Sequence, residues 1–223
     1  MQPISLPLAS LIEPAAAPKR ERRKDARPGE LLAAALDLFV EKGFAATRAE
    51  EVALRAGVSK GTLFLYFASK EELFKAVVRE NISSNYPGWH EEMQSFDGST
   101  AEMLHLCAQG WWENIGATKA CGIGKLMMSE GANFPDLQRF YQAEVIEPGN
   151  LLLLGILQRG VDRGEFRKDV NLNHVVHMFV APFLYLMVWK HAGGMEHAPS
   201  LRLDPLEFLS THVNVMLGGL KRP

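Results

Sequence analysis

Between Pro28 and Val78 the apolar positions recur at three- and four-residue intervals, broken at short spacing by glycines and small polar residues. That pattern predicts a run of short helices. Pro28 suits the first turn of the first one, and Leu32, Ala35, Leu36, Phe39 and Val40 form its apolar stripe. Gly43 stands where a left-handed cap costs least. Thr47-Arg-Ala-Glu50 has capping-box spacing and predicts a second helix, ended by Gly57. Ser59 caps a third over residues 60–66. Ser69-Lys-Glu-Glu72 reads as another capping box and opens a fourth, with Leu73, Val77 and Ile82 on its buried side. That helix should fade by Pro87-Gly88. The tight turn Ala56-Gly57-Val58 between the second and third helices is the signature of a helix-turn-helix. Val52, Ala53, Val58, Leu63 and Phe67 are its expected core.

From about residue 100 the period stays helical, predicting helices over 100–117, 120–131, 135–162, 171–192 and 204–220. Their joints carry Gly, Pro or Asp, and Asn173 and Asp204 suit helix starts. No strand-like alternation and no internal repeat is visible. The expected fold is all-α. Residues 1–27 form a disordered leader and basic arm, 28–80 a three-helix helix-turn-helix domain, and 81–223 a second helical domain. The stretch 87–99 is the expected junction, bridged by a stiff fourth helix.

Composition narrows the class. Of 223 residues, 47% are apolar and 22% charged, which excludes a wholly disordered or collagen-like chain. Cys107 and Cys121 allow at most one bridge, so the chain reads as intracellular with both thiols reduced. The longest apolar stretch, Val175 to Trp189, contains His177 and Pro182 and falls short of a membrane span. The N-terminus lacks a basic region followed by an apolar run, so a cytoplasmic location is expected. Charge is uneven. Residues 1–81 hold 13 Lys and Arg against 11 Asp and Glu, and residues 82–223 hold 11 against 15. Within the first part, residues 19–27 carry six basic and two acidic side chains directly before the first helix. Such a run is either a solvated tail or an arm that reaches DNA.

The run GFAATRAEEVALRAGVSKGTLFLYFASKEELFKAVV, residues 43–78, resembles the DNA-binding domain of TetR-family transcriptional repressors. The shared pattern is Gly-Phe, a Thr, Ala-Gly-Val-Ser, Gly-Thr-Leu, an aromatic pair ending in Phe, and Ser-Lys-Glu-x-Leu. A weaker likeness to the C-terminal domains of that family covers residues 119–192, carried by runs between Glu130 and Phe166. One departure is Phe64, which stands where the family usually has a Tyr that donates to the DNA backbone; Tyr66 can supply that contact.

The resemblance implies a short recognition helix whose N-terminal half enters the major groove. Ser59, Lys60 and Thr62 are its expected polar contacts, with Gly61 permitting close approach and Phe64 and Leu65 offering apolar contact. Thr47, Arg48, Tyr66 and Lys70 are placed for phosphates, and Arg22, Arg23, Lys24 and Arg27 of the arm for phosphates or the minor groove. It further implies a dimer on a palindromic operator. The expected interface residues are Val175, Phe179, Phe183 and Met187 with Leu206, Leu209, Val213, Met216 and Leu217; one larger internal core is the other reading. A small hydrophobic or aromatic effector is implied as well, lined by Trp111, Trp112, Met127, Met128, Phe134, Tyr141, Phe179, Phe183, Tyr185 and Trp189, unless these are plain core. No cofactor is implied.

Rival chemistries find little support. There is no Gly-x-Ser-x-Gly and no phosphate loop, and Gly122-Ile-Gly124 carries no dinucleotide fingerprint. His174 and His177 share a helix face, but no carboxylate pair or Cys completes a metal motif. An all-helical ligand-binding or scaffold protein without DNA binding is the remaining alternative, and the intact Gly-Thr-Leu, Tyr66 and Lys70 argue against it.

Overall fold

The computed structural model describes residues 27–191 and 203–221. They form helices α1 (Arg27–Ala46), α2 (Ala49–Arg55), α3 (Lys60–Tyr66), α4 (Lys70–Asn81), α5 (Tyr86–Ser95), α6 (Thr100–Trp111), α7 (Cys121–Glu130), α8 (Pro135–Tyr141), α9 (Glu147–Asp162), α10 (Leu172–His191) and α11 (Pro205–Leu220). A wider π-helical turn over Trp112–Gly116 extends α6, and another over Gln142–Ile146 fuses α8 to α9. The β-structure among these residues is an isolated antiparallel bridge between Phe166 and Lys221.

Local chemistry explains the boundaries. Gly43, at φ 85° and ψ 171°, breaks the α-helical path of α1 before Ala46. A side chain there would be strained, and its Cβ would lie 1.9 Å from the Glu130 carboxylate. Gly57 makes the α2–α3 turn at φ 68°. The Ser59 and Ser69 side chains accept the amides of Thr62 and Glu72, as the capping pattern requires. The first expected box is shifted by one residue. Arg48 is the N-cap of α2, and the Glu51 carboxylate, not that of Glu50, accepts its amide at 3.1 Å. Thr47 instead turns inward and is buried, its hydroxyl 2.7 Å from the Gly43 carbonyl and 3.1 Å from that of Leu38. The Ser69 box is half made, since the Glu72 carboxylate pairs with Lys75.

The long fourth helix is also corrected. Ile82 leaves helical geometry (φ −133°, ψ −68°) and buries its side chain, so α4 stops at Asn81. Pro87 then sits in the first turn of α5, where its missing N–H costs nothing. The proline starts a helix rather than ending one.

Two apolar clusters fill the molecule. In the first, Phe39, Phe44 and Phe74 stack and meet edge to face at 5.3–5.6 Å, and Phe134 lies 4.8 Å from Phe44. Burying each such ring contributes about 1.5–3 kcal/mol. This cluster includes Ile123, Leu126, Met127 and Leu137, so α7 and α8 share the core of α1–α4. The second cluster joins α6, α9, α10 and α11 through Leu104, Leu157, Phe179, Leu186 and Val213. α10 runs 20 residues, inside the expected range 171–192, and by length and composition is long enough to cross a membrane, although its 15-residue apolar stretch alone falls short of a span. Its inner face, Val175, Phe179, Phe183 and Leu186, belongs to this second core.

Candidate nucleic-acid interface and effector cavity

α3 exposes most of the side chains expected to contact DNA. Ser59, Lys60, Gly61, Phe64, Leu65 and Tyr66 are exposed, Thr62 is half-buried, and Leu63 anchors the helix in the core. Leu65 is 83% exposed, far more than a core contact would leave it. The Ser59 and Thr62 hydroxyls lie 2.9 Å apart. The Lys60 ammonium is 2.5 Å from a carboxylate oxygen of Glu50 on α2, and 5.8 Å from the Phe64 ring centre. Hydrogen bonding to Lys60 holds the Glu50 carboxyl below its usual range. Arg48 is exposed at the start of α2. Two expected phosphate contacts are corrected. The Thr47 side chain is buried, as described. The Lys70 ammonium donates to the carbonyls of Phe44 (2.8 Å), Thr47 (3.0 Å) and Ala45 (3.5 Å), and lies 4.3 Å from the Phe44 ring centre. It caps the end of α1. Arg22, Arg23 and Lys24 lie outside the described residues, and Arg27 is the first residue of α1.

Behind this domain lies a cavity of about 460 Å³. Trp89 and Met93 of α5, Cys107 and Trp111 of α6, Tyr141, Ile156 of α9, and Phe183 and Met187 of α10 are among its walls. Trp111 and Phe183 stack within it, 4.6 Å apart and nearly parallel. Among the described residues no Lys, Arg or His lines it, and its one ionisable carboxylate is that of Glu92. Burial pushes the Tyr86 hydroxyl and the Cys107 thiol each up to about 12, and raises Tyr141 as well. All three stay neutral and protonated near pH 7. Burial likewise raises Cys121, and both cysteines are free thiols.

Of the expected effector contacts, the cavity brings together Trp111, Tyr141 and Phe183. Met127 and Phe134 belong to the first core, Phe179 and the half-buried Trp112 and Trp189 to the second, and Tyr185 and Met128 are exposed. Met187, expected at a dimer surface, lines the cavity instead. The expected dimer residues Val175, Phe179, Phe183, Leu209, Val213 and Leu217 are buried inside one chain, Met216 is half-buried, and Leu206 is exposed. The outward face of α10 and α11 is the complementary one: Met178 (62% exposed), Leu184, Tyr185, Val188 and Val215 (73%). His174 and His177 are on that face, and no group of three metal-ligating side chains forms among the described residues.

Both π-helical turns border the cavity, through Asn114 and Ile115 of one and Val145 and Ile146 of the other. The Tyr86 hydroxyl donates to the Val145 carbonyl at 2.7 Å. One residue earlier, Glu144 accepts two hydrogen bonds from Arg79 of α4, at 2.8 and 2.5 Å. Glu130 of α7 accepts the Ala45 amide at 2.8 Å, and Lys119 pairs with Asp37 of α1. Patterning missed the Glu50–Lys60 and Arg79–Glu144 pairs, because each joins helices whose packing angle a period cannot reveal.

Sequence models of known families match in two places. Residues 31–77 match bacterial regulatory proteins of the tetR family, and residues 97–199 the tetracyclin repressor-like C-terminal domain. The chain is 27% identical over 202 residues to the HTH-type transcriptional repressor KstR2 of Rhodococcus jostii, covering 90% of this chain and 94% of that one. It is 50% identical over 62 residues to the HTH-type transcriptional regulator RutR of Escherichia coli, 28% of this chain and 29% of that one. In fold it is similar to the regulator FadR of Bacillus subtilis in complex with stearoyl-CoA, with a TM-score of 0.71 and 17% identity over 86% of this chain and 98% of that one. The two sequence models span both helical regions in order, and the chain belongs to the TetR family of bacterial regulatory proteins.

Proposed function

We propose that this DNA-binding regulator is a repressor that binds a palindromic operator as a dimer and is released by a hydrophobic or aromatic small molecule. The cavity carries the reading. Its volume lies within the usual range for small-molecule sites, and its walls are mostly apolar. With no cation lining it, a buried carboxylate or phosphate would find no counter-charge. The effector's enclosed part is therefore not anionic. The acyl chain of the stearoyl-CoA held by FadR is apolar in the same way, although its CoA part is anionic.

The operator contacts we assign are Arg48, Ser59, Lys60, Gly61, Thr62, Phe64, Leu65 and Tyr66 on the exposed face of α2 and α3. Two such faces on half-sites about 34–36 Å apart, or a multiple of that, require a second copy. The exposed apolar face of α10 and α11, around Met178, Tyr185, Val188 and Val215, is the surface it would cover.

Selection of genomic DNA fragments on the purified protein, beside a Lys60→Ala, Tyr66→Ala double variant, tests the DNA half. The wild type should enrich a palindrome that the variant loses. Equal enrichment by both would remove α3 from recognition.

A further inference from the structure

Glu50 is an odd neighbour for a DNA-reading lysine. It stands in the first turn of α2, half-exposed, with its carboxylate on the ammonium of Lys60, the first residue of α3. The adjacent Glu51 has a structural task, accepting the Arg48 amide and pairing with Lys42. Glu41 is likewise occupied, holding Arg55 through two hydrogen bonds. Beyond its own backbone amide in the first turn of α2, the Glu50 carboxylate is engaged by Lys60, and an ion pair this exposed adds little to stability. Against a phosphate its carboxylate would be repelled. Against base edges it is selective: a carboxylate accepts well from the cytosine N4 amino group, whereas adenine sets the acceptor N7 beside its amino group.

From this geometry, and resting on the DNA-binding reading above, we propose that Glu50 is a specificity-determining residue that reads cytosine in the major groove while Lys60 reads guanine. The two side chains share one end of the recognition surface, so they address the same G·C pair or adjacent pairs. Lys60 donates to guanine O6 or N7, and Glu50 accepts from cytosine N4. With its ammonium beside the acid, Lys60 also keeps the carboxylate from meeting the DNA as an unpaired negative charge. The weak mutual pairing costs little to rearrange.

The test is selection from a randomised duplex library by the wild type, Glu50→Ala, Glu50→Gln and Glu50→Asp, with thermal unfolding as the fold control. The wild type should enrich cytosine at one position of each half-site, with guanine opposite or beside it. Glu50→Ala should lose that preference, about tenfold in discrimination, and keep the other positions. Glu50→Gln, whose amide both donates and accepts, should shift the position toward adenine. Glu50→Asp keeps the charge but loses reach, and should behave like Glu50→Ala. Identical half-sites from all four proteins would overturn the proposal and leave Glu50 as a counter-charge to Lys60. A folded wild type that enriches no sequence would overturn the DNA-binding reading beneath it.

Discussion

A side chain placed by a motif can serve the fold instead of the ligand, and Lys70 has partners within the fold. Its position after Ser69 suggests a phosphate contact, but its ammonium closes the open carbonyls at the end of α1. A charged donor to buried or half-buried carbonyls is worth about 1.5–3 kcal/mol. Lys70→Met should therefore lower stability by about that much in urea unfolding without DNA. Unchanged stability together with a shallower salt dependence of DNA binding would restore the phosphate role. Thr47 follows the same logic, with its hydroxyl facing the Leu38 and Gly43 carbonyls. At this scale the motif marks positions that cluster around α3. It could not separate a residue that holds the recognition helix in place from one that touches DNA, because that depends on where a long side chain reaches in three dimensions.

Among the elements, the helices were legible where caps and glycines punctuate a 3.6-residue period, as in α1 to α4. The missed features have physical causes. α5 begins with Tyr-Pro-Gly, a triplet that reads equally as a stop. The π-helical turns involve no special residue type, so α6 and the α8–α9 helix read as uniform. α10 is apolar nearly all round, so its period does not tell the inner face from the outer, and the expected interface fell on the core. One half-buried group on α11 gives this region a pH signature. Burial beside Phe179 lowers the His212 pKa, opposed in smaller part by a hydrogen bond to the Phe179 backbone. The unfolded chain then takes up a proton before the folded one does. Stability should fall as pH drops below about 6.5 and be fully present above it. His212→Leu should flatten the curve of thermal midpoint against pH between about 5 and 7. Equal slopes in both proteins would assign the effect to another group, such as His191, whose pKa burial also lowers.

At the level of the whole molecule, α1–α4 and the cavity share one packed core and an ion pair. The first core runs from α1–α4 into α7 and α8, and Arg79 of α4 grips Glu144 in the π-helical turn that borders the cavity. A ligand that pushes on Val145 and Ile146 thus acts one residue away from that grip. It shifts the DNA-competent population only as far as it binds one arrangement better than the other. Gly110 offers a way to block the cavity without touching the DNA surface. It lines the cavity, and a Cβ built on it would meet nothing closer than the Asn114 amide nitrogen, at 4.0 Å. Gly110→Leu should leave folding intact, gaining up to about 1 kcal/mol of helix propensity. Operator affinity should be unchanged, while sensitivity to a hydrophobic effector titrated against a preformed complex should fall tenfold or more, the equivalent of about 1.4 kcal/mol of lost binding. Arg79→Leu should do the reverse: effector binding persists, measured by quenching of Trp111, but release from DNA weakens. Full sensitivity in Gly110→Leu would move the effector out of this cavity. Undiminished release in Arg79→Leu would place the coupling in the shared core around Phe44, Phe134 and Met127 rather than in the Arg79–Glu144 pair.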